Sequence, residues 1–306
     1  MISDCLPNFI IAGCSKSGTT TIADYLASHP EVYFSRIKEP RYFAFPGVKP
    51  EFEGPGDEGR FNKTTVWDWG EYKNLFAEAA SGNYKAIGEG SPIYCAAHEP
   101  AALIKKTLPD VKIVIVIRNP IERVISSYTH NVRDGYENLP LAEALRAEES
   151  RKRSNWARHW HYKSLGHVSE FLQTYLDTFD AQNLMFVLYD DFKVNNQQVM
   201  DDIHGFLGVE AREIAQYRLN AAGMPRSRLL ARLASSDNVL NKVAMKLTPP
   251  AARKWIRRNL ITNSAGRPDV QKQVRIQLLE EFSREIDSLA GLLGRDLSHW
   301  KTIDDR

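Results

Sequence analysis

Residues 7–30 read PNFIIAGCSKSGTTTIADYLASHP, and this stretch predicts the fold. The apolar run at 9–12 has the composition of a buried strand, and Gly13 opens a loop of small and polar residues with one cation, Lys16. After Gly18, three threonines lead into a helical pattern. A strand, a glycine-rich loop and a helix N-terminus in this order hold phosphate groups, because free backbone N–H groups and the helix dipole favour an anion. The sequence therefore predicts an anion-binding loop.

This loop departs from the magnesium nucleotide motif G-x-x-x-x-G-K-[ST]. Its two glycines have the required spacing, but Thr19 stands where the motif needs lysine, and the cation is at Lys16 instead. The β-branched run at 111–117 predicts a fully buried central strand of a parallel sheet. It ends in Arg118, whereas a metal site would need an acidic residue there. An arginine in that place favours a further phosphate over a magnesium ion.

Four segments together resemble the sulfotransferases that use 3′-phosphoadenosine 5′-phosphosulfate (PAPS). They are SKSGTT at 15–20, KEPRYF at 38–43, GEGSPIY at 88–94 and VIRNPIERVISSYTH at 116–130. The similarity is greatest to the carbohydrate branch, which includes the heparan sulfate sulfotransferases and bacterial relatives, and GRDLSHW at 294–300 extends it to nearly the whole chain. The resemblance implies an α/β class, with a three-layer P-loop-like fold in which helices flank a mostly parallel central sheet.

The resemblance also implies a donor site. Lys16 would neutralise charge on the leaving 5′-phosphate. Arg118 and Ser126 would hold the 3′-phosphate, for which a planar and permanently charged guanidinium is well suited. The segment ITNSAGRPDV resembles a loop that closes over PAPS, although Ala265 replaces the lysine of that pattern. The residues assigned to the donor are Lys16, Ser17, Gly18, Thr19, Thr20, Arg118, Ser126, Gly266 and Arg267. The implied product is 3′,5′-adenosine bisphosphate, and no metal is expected.

Glu39 is the predicted general base. An alcohol loses its proton as it attacks sulfur, and a positioned carboxylate contributes roughly a hundredfold or more. In the resembled family a glutamate after the second strand has this role, and Pro40 fixes the backbone beside it. Without the resemblance, a solvated loop glutamate paired with Lys38 or Arg41 is the alternative.

The acceptor side is predicted from two further segments. Residues 45–69 lack periodicity. They form a long loop that is either one wall of the acceptor site or a loop on the protein surface without that role. In RKRSNWARHWHYKSLG at 151–166, basic and aromatic residues alternate. Either a tryptophan stacks on a sugar or aglycone there, or the tryptophans are core and the arginines face water. The residues assigned to the acceptor are Lys38, Arg41, Ser91, Trp156, Trp160 and Tyr162, whereas Gly90 replaces a lysine of the heparan sulfate relatives.

Composition and charge restrict the class of protein. The 306 residues are 43% hydrophobic and carry a net charge of only +2, which indicates a globular protein and does not favour nucleic acid. We expect a single domain over 1–306, with a PAPS-binding core at about 7–220 and a lid and helix at about 221–306. Three scattered cysteines favour a reducing compartment over a disulfide framework or a metal site. With neither a leader nor a membrane-spanning run expected, the prediction is cytoplasmic.

The predicted reaction is in-line transfer of a sulfuryl group to a hydroxyl or amine of a carbohydrate, glycolipid or small molecule. Two alternatives stay open. One is a nucleotide kinase or NTPase with a degenerate P-loop, and the other is a non-catalytic protein that binds a nucleotide or glycan. Asp190 and Asp191 follow the last predicted strand and are expected to have a structural role. An amphipathic helix with apolar residues from Val274 to Leu289 is predicted near the C-terminal end.

Overall fold

A computed structural model describes residues 5–214 and 270–303 of the chain. A five-stranded sheet in the order β2-β3-β1-β4-β5 lies at its centre. All four neighbouring pairs are parallel, so the predicted α/β architecture is confirmed. The strands are β1 (Phe9–Gly13), β2 (Val32–Phe34), β3 (Ala86–Gly90), β4 (Lys112–Ile117) and β5 (Leu184–Leu188). The strand predicted as central, β4, is buried as expected but lies beside β1, which is the middle strand.

Helices connect and flank the strands. They are α1 (Thr19–Ala27), α2 (Trp69–Asn74), α3 (Glu99–Thr107), α4 (Pro120–Arg133), α5 (Leu141–Arg146), α6 (Glu148–Arg153), α7 (Ser169–Thr178), α8 (Tyr189–Val194), α9 (Asn196–Leu207) and α10 (Lys272–Leu293). Local chemistry explains where α4 begins. Its first residue is Pro120, which needs no N–H there, and the Asn119 side chain accepts a hydrogen bond from the Ile121 N–H at 2.9 Å.

Alternation along the strands produces three layers. Ile10 of β1 and Ile115 of β4 point into one hydrophobic cluster, which α3, α4, α7 and α10 cover. Their neighbours Ile11 and Val116 point into the cluster on the opposite face, which α1 and α9 cover. A parallel sheet with both faces covered has to be apolar throughout, and this explains the unbroken apolar runs of β1 and β4.

The helix α10 packs on α4 and α7, with the predicted apolar residues inward. Its buried positions include Val274, Leu278, Phe282, Ile286 and Leu289. Two aspartates of α8 hold the residues that follow α10. The Asp190 carboxylate accepts a hydrogen bond from the Trp300 indole N–H at 2.6 Å, and Asp191 accepts two from Arg295 at 3.1 Å. The predicted structural role of these aspartates is confirmed.

Candidate active site

Three parallel strands deliver the candidate site to one edge of the sheet. The predicted anion-binding loop, called the phosphate loop from here on, follows β1 at Gly13. Ser91 follows β3, and Arg118 follows β4. Because these strands are neighbours in the sheet, their carboxyl ends lie side by side. The chain places β2 and β3 on one side of β1, and β4 and β5 on the other. Ligands bind at such a change of direction in open α/β sheets.

The loop between β1 and α1 has a backbone that suits an anion. Gly18 has a φ of 88°, and a Cβ added there would lie 2.8 Å from the Tyr189 ring, so only glycine fits. Thr19 and Thr20 form the first turn of α1, where backbone N–H groups have no acceptor within the helix. Their N–H groups are therefore available to a bound anion.

Ser17 has a different place from the one predicted. Its N–H donates to the Cys14 carbonyl at 3.3 Å, and its side chain is fully buried. Ser17 thus forms a hydrogen bond within the loop, and its side chain lies in the protein interior instead of facing a ligand. Its neighbour Cys14 also contacts Cys95, with 3.8 Å between the sulfurs, although both are free thiols. The spacing of 81 residues made these cysteines look scattered in the sequence.

Lys16 lies among other cations. Burial, together with the charges of Arg133, Arg60 and Arg118, lowers the pKa of its ammonium group to about 7, whereas Asp134 acts in the opposite direction. Like charges grouped around one loop repel one another until an anion compensates them. The charge around Lys16 is therefore arranged for an anionic ligand.

Arg118 is joined to the same loop. Its Nη1 donates to the Lys16 carbonyl oxygen at 2.9 Å, and its guanidinium lies over the Tyr189 ring, 4.8 Å from the ring centre. The Glu122 carboxylate is 3.9 Å away, one helical turn on. Burial lowers the pKa of Arg118. Ser126 is half-buried one turn beyond Glu122, so it lies on the same face of α4.

Glu39 lies next to the phosphate loop. Lys38 Nζ donates to the Thr20 hydroxyl at 2.7 Å and to Glu39 Oε1 at 3.2 Å, so that it links the two. Arg41 Nη2 donates to Glu39 Oε2 at 3.1 Å. Burial raises the pKa of the Glu39 carboxyl, but the charges and hydrogen bonds of Lys38 and Arg41 outweigh it and lower the pKa overall. Both ion pairs that the alternative interpretation predicted are present, and Glu39 is ionised.

Several residues assigned to the acceptor side are buried, which corrects their predicted placement. Trp160 and Tyr162 are 0% exposed, so neither ring presents a face to a ligand. The Trp160 indole donates to Asp57 at 3.0 Å, and the Tyr162 hydroxyl donates to Glu137 at 3.0 Å. The core interpretation therefore holds for these rings. The accompanying expectation that the arginines face water is wrong for Arg151, which is buried and pairs with Glu137 at 2.8 Å.

Ser91 and Arg41 are also inside the protein. Ser91 is 0% exposed, and its hydroxyl accepts a hydrogen bond from the Arg41 N–H at 2.9 Å. The Arg41 guanidinium is 4.4 Å from the centre of the Phe61 ring. Of the residues assigned to the acceptor, Lys38 and Trp156 are half-buried and remain accessible.

Sequence reasoning missed Arg60. It lies in a five-residue π-helical turn, Glu58–Asn62, of the long segment after β2. Its guanidinium donates to Asp134 at 2.9 Å and to the Asn131 side chain at 2.9 Å, so this segment is fastened to the end of α4. It also lies 2.8 Å from His130 Nδ1. Burial, together with Lys16 and Arg60, lowers the pKa of His130 and keeps its ring neutral. No periodic signal in the sequence marked this arginine.

Glu89 was quoted with its motif but given no role. Its side chain is fully buried at the end of β3 and receives a hydrogen bond from the Tyr94 hydroxyl at 2.8 Å. Burial raises the pKa of this carboxyl to about 8, against the opposing effect of the nearby Ser91 and Tyr94 hydroxyls. Glu89 is therefore mostly neutral at pH 7.

Two of the residues assigned to the donor, Gly266 and Arg267, lie outside the described residues. Within 5–214 and 270–303, no group of three or more His, Cys, Asp or Glu side chains is arranged to hold a metal ion. In the same part of the chain, no helix combines the length and apolar character needed to cross a membrane.

Comparison with known proteins adds independent information. A family model described as "Sulfotransferase domain" matches residues 6–225. The crystal structure of a sulfotransferase from Alicyclobacillus acidocaldarius is similar with a TM-score of 0.73 and 29% identity, over 97% of this chain and 99% of that one.

Curated relatives match over a shorter part of their length. Heparan sulfate glucosamine 3-O-sulfotransferase 3B1 of Homo sapiens is 25% identical over 205 residues, which cover 67% of this chain and 47% of the relative. Membrane-associated sulfotransferase kil1 of Dictyostelium discoideum is 33% identical over 130 residues, which cover 42% of this chain and 24% of the relative. The chain thus spans between a quarter and a half of the length of these two relatives.

Proposed function

The chain belongs to the sulfotransferase domain family and is a sulfotransferase enzyme, and from that premise we propose that it uses PAPS to sulfate a carbohydrate, glycolipid or small molecule. The acceptor group is a hydroxyl or amine, and the transfer is an in-line displacement. The observation that carries this proposal is the link made by Lys38, whose ammonium group bonds both Thr20 of the phosphate loop and Glu39. A base beside an anion-binding loop is what such a transfer requires.

The chemistry of the loop fits a donor with several anionic groups. Lys16 and Arg118 are in direct contact through the Lys16 carbonyl, and the first-turn N–H groups of α1 lie on the same loop. Burial and neighbouring cations lower the pKa of Lys16, and a bound phosphate and sulfate would compensate those cations. In this proposal Lys16, Gly18, Thr19 and Thr20 hold the 5′ side. Arg118 and Ser126, with Arg267 from outside the described residues, hold the 3′-phosphate.

The protein's own groups have two tasks in the transfer. Lys16 and the loop N–H groups stabilise negative charge as it develops on the 5′-phosphate. Glu39 accepts the proton of the acceptor while the bond from the acceptor oxygen or nitrogen to sulfur forms and the sulfur–oxygen bond to the 5′-phosphate breaks. When bound, PAPS supplies the sulfuryl group and departs as 3′,5′-adenosine bisphosphate.

The acceptor class rests on the relatives. The human relative acts on heparan sulfate glucosamine according to its name, and this supports a carbohydrate acceptor here. Lys38 and Trp156 are the accessible residues of those assigned to it. A cytoplasmic location and a transfer without a metal ion stay predictions. The kinase alternative is disfavoured because Thr19 replaces the P-loop lysine and Arg118 stands where an acidic metal ligand belongs.

Isothermal titration calorimetry tests the donor site. We expect the protein to bind 3′,5′-adenosine bisphosphate in preference to ATP–magnesium, and Arg118→Ala to weaken the bisphosphate about tenfold or more, since it removes a charge-assisted hydrogen-bond donor. Arg284→Ala is the matched control, because Arg284 is an exposed arginine of α10. Preference for ATP, or equal binding by Arg118→Ala and the control, would contradict the proposal. Glu39→Gln should bind the bisphosphate normally and lose turnover.

A further inference from the structure

A hydrogen-bonded bridge leads from the segment that carries Glu39 to the buried carboxyl of Glu89. The Phe43 N–H donates to the Tyr94 hydroxyl at 3.3 Å, and that hydroxyl donates to Glu89 Oε1 at 2.8 Å. Beside this bridge, the Arg41 N–H donates to the hydroxyl of Ser91, which follows β3, at 2.9 Å.

The direction of these hydrogen bonds makes Glu89 the acceptor on which the bridge depends. The Tyr94 hydroxyl accepts a backbone N–H and has one proton of its own to donate. Glu89 Oε1 accepts that proton. Without this acceptor, the Tyr94 hydroxyl is free to rotate away from the Phe43 N–H.

The tethered backbone is one that needs support. Arg41 has a φ of 62°, in the left-handed region that non-glycine residues rarely adopt. Its side chain donates to Glu39, and the Gly90 N–H bonds the Lys38 carbonyl at 3.2 Å. The residues on both sides of Glu39 are thus fixed to the end of β3, where Glu89 lies.

We propose that Glu89 is a positioning residue, which holds Glu39 beside the phosphate loop by fixing the backbone at Phe43 through the Tyr94 hydroxyl. The proposal rests on the proposed role of Glu39 as the base. Glu89 is buried and does not touch the reacting groups, so it acts only through the backbone it holds.

The test compares two substitutions of Glu89. Glu89→Met removes the acceptor, whereas Glu89→Gln keeps an acceptor oxygen and has the neutral charge of the protonated acid. We expect Glu89→Met to lower kcat about tenfold to a hundredfold, the effect of a misplaced catalytic group. Glu89→Gln should restore most of kcat at pH 7. Binding of 3′,5′-adenosine bisphosphate should stay unchanged in both, because the donor loop is untouched.

Removal of the bridging hydroxyl should reproduce the loss. Tyr94→Phe deletes it and should lower kcat by no more than Glu89→Met does. Tyr175→Phe is the matched control. It also deletes a buried tyrosine hydroxyl, one that donates to the Tyr94 carbonyl at 3.3 Å and takes no part in the bridge. Its kcat should equal that of the wild type.

Amide hydrogen exchange gives a readout that does not depend on turnover. The Phe43 amide should exchange faster in Glu89→Met than in the wild type, Glu89→Gln or Tyr175→Phe, while the β4 amides stay unchanged. The inference is overturned if Glu89→Met keeps its kcat, if the Phe43 amide is unaffected, or if Glu89→Gln loses as much kcat as Glu89→Met. A wild type that binds no bisphosphate and shows no PAPS-dependent turnover would instead contradict the proposed function.

Discussion

Lys16 lies where positive charge is concentrated in the candidate site. Its backbone has a φ of 68°, and its carbonyl oxygen accepts a hydrogen bond from the Arg118 guanidinium. This bond fixes the loop at Lys16 to the end of β4. The sequence showed that this cation had moved from the P-loop position into the loop. The sequence did not show that the charges of Arg60 and Arg133 act on Lys16, because both arginines come from segments distant along the chain.

The pKa of Lys16 predicts a pH dependence of donor binding. Below pH 7 the ammonium group is already charged, so binding of 3′,5′-adenosine bisphosphate needs no proton at this site. Above pH 7 the free protein has lost that proton, and binding must restore it. The affinity should therefore fall as the pH rises from 7 to 9, by up to about tenfold per pH unit. Calorimetry at pH 6, 7, 8 and 9 measures this directly.

Lys16→Arg is the control for this prediction. An arginine keeps its charge over the whole range, so the fall in affinity above pH 7 should disappear in this variant. Titration of the ligand's own phosphates is common to both proteins and cancels in the comparison. If both proteins show the same pH dependence, Lys16 does not titrate near 7.

At the scale of elements, local signals in the sequence were sufficient for β1, β4 and α4. The apolar runs that predicted β1 and β4 are properties of neighbouring residues, and so are the Asn119 cap and Pro120 with which α4 begins. The segment at 151–166 was ambiguous because its outcome depends on distant partners. Trp160 is buried because its indole reaches Asp57, which is 103 residues earlier in the chain. Composition alone carries no information about such a contact.

The packing of α10 against the core predicts how much this helix contributes to the free energy of unfolding. Phe282 is 0% exposed, and its ring approaches Gly166 so closely that an added Cβ there would lie 2.5 Å away. Phe282→Ala should lower the free energy of unfolding by about 3–5 kcal/mol, since it leaves a cavity between α10 and the core. Arg284→Ala, exposed on the same helix, should change it by less than about 0.5 kcal/mol. Denaturant unfolding measures both, and a loss below about 1 kcal/mol for Phe282→Ala would show that α10 is not an integral part of the core.

At the scale of the whole molecule, the strand order explains why distant motifs meet. The chain builds β2 and β3 on one side of β1 and then crosses to β4 on the other. This brings Lys16 and Arg118 together across the change of direction, and Lys38 links Glu39 to Thr20 of the same loop. The order of motifs along the sequence predicted this assembly through a family resemblance. The buried hydroxyl bridge through Tyr94 to Glu89 was not predictable, because it depends on how β3 and the segment after β2 meet in three dimensions.

Glu89 also predicts how the stability of the whole fold depends on pH. Its pKa is raised from 4.5 to about 8 in the folded protein. Below pH 4.5 the carboxyl is protonated in both states. Between 4.5 and about 8 the unfolded chain ionises while the folded protein stays neutral, so the free energy of unfolding falls as the pH rises. The fall is limited to about 1.4 kcal/mol per pH unit, and it is complete above the folded pKa.

Glu89→Gln has no proton to lose and should not show this fall. The difference in the free energy of unfolding between this variant and the wild type should therefore shift in favour of the variant from pH 5 to 8 and become constant above about 8. Glu58→Gln is the control, because hydrogen bonds from Asn62 and Lys63 lower the pKa of Glu58, so that this carboxyl is ionised throughout the range. This control should differ from the wild type by a constant amount over the same range. Denaturant unfolding at pH 5, 6, 7, 8 and 9 distinguishes the cases. A constant difference for Glu89→Gln as well would mean that Glu89 is ionised inside the folded protein.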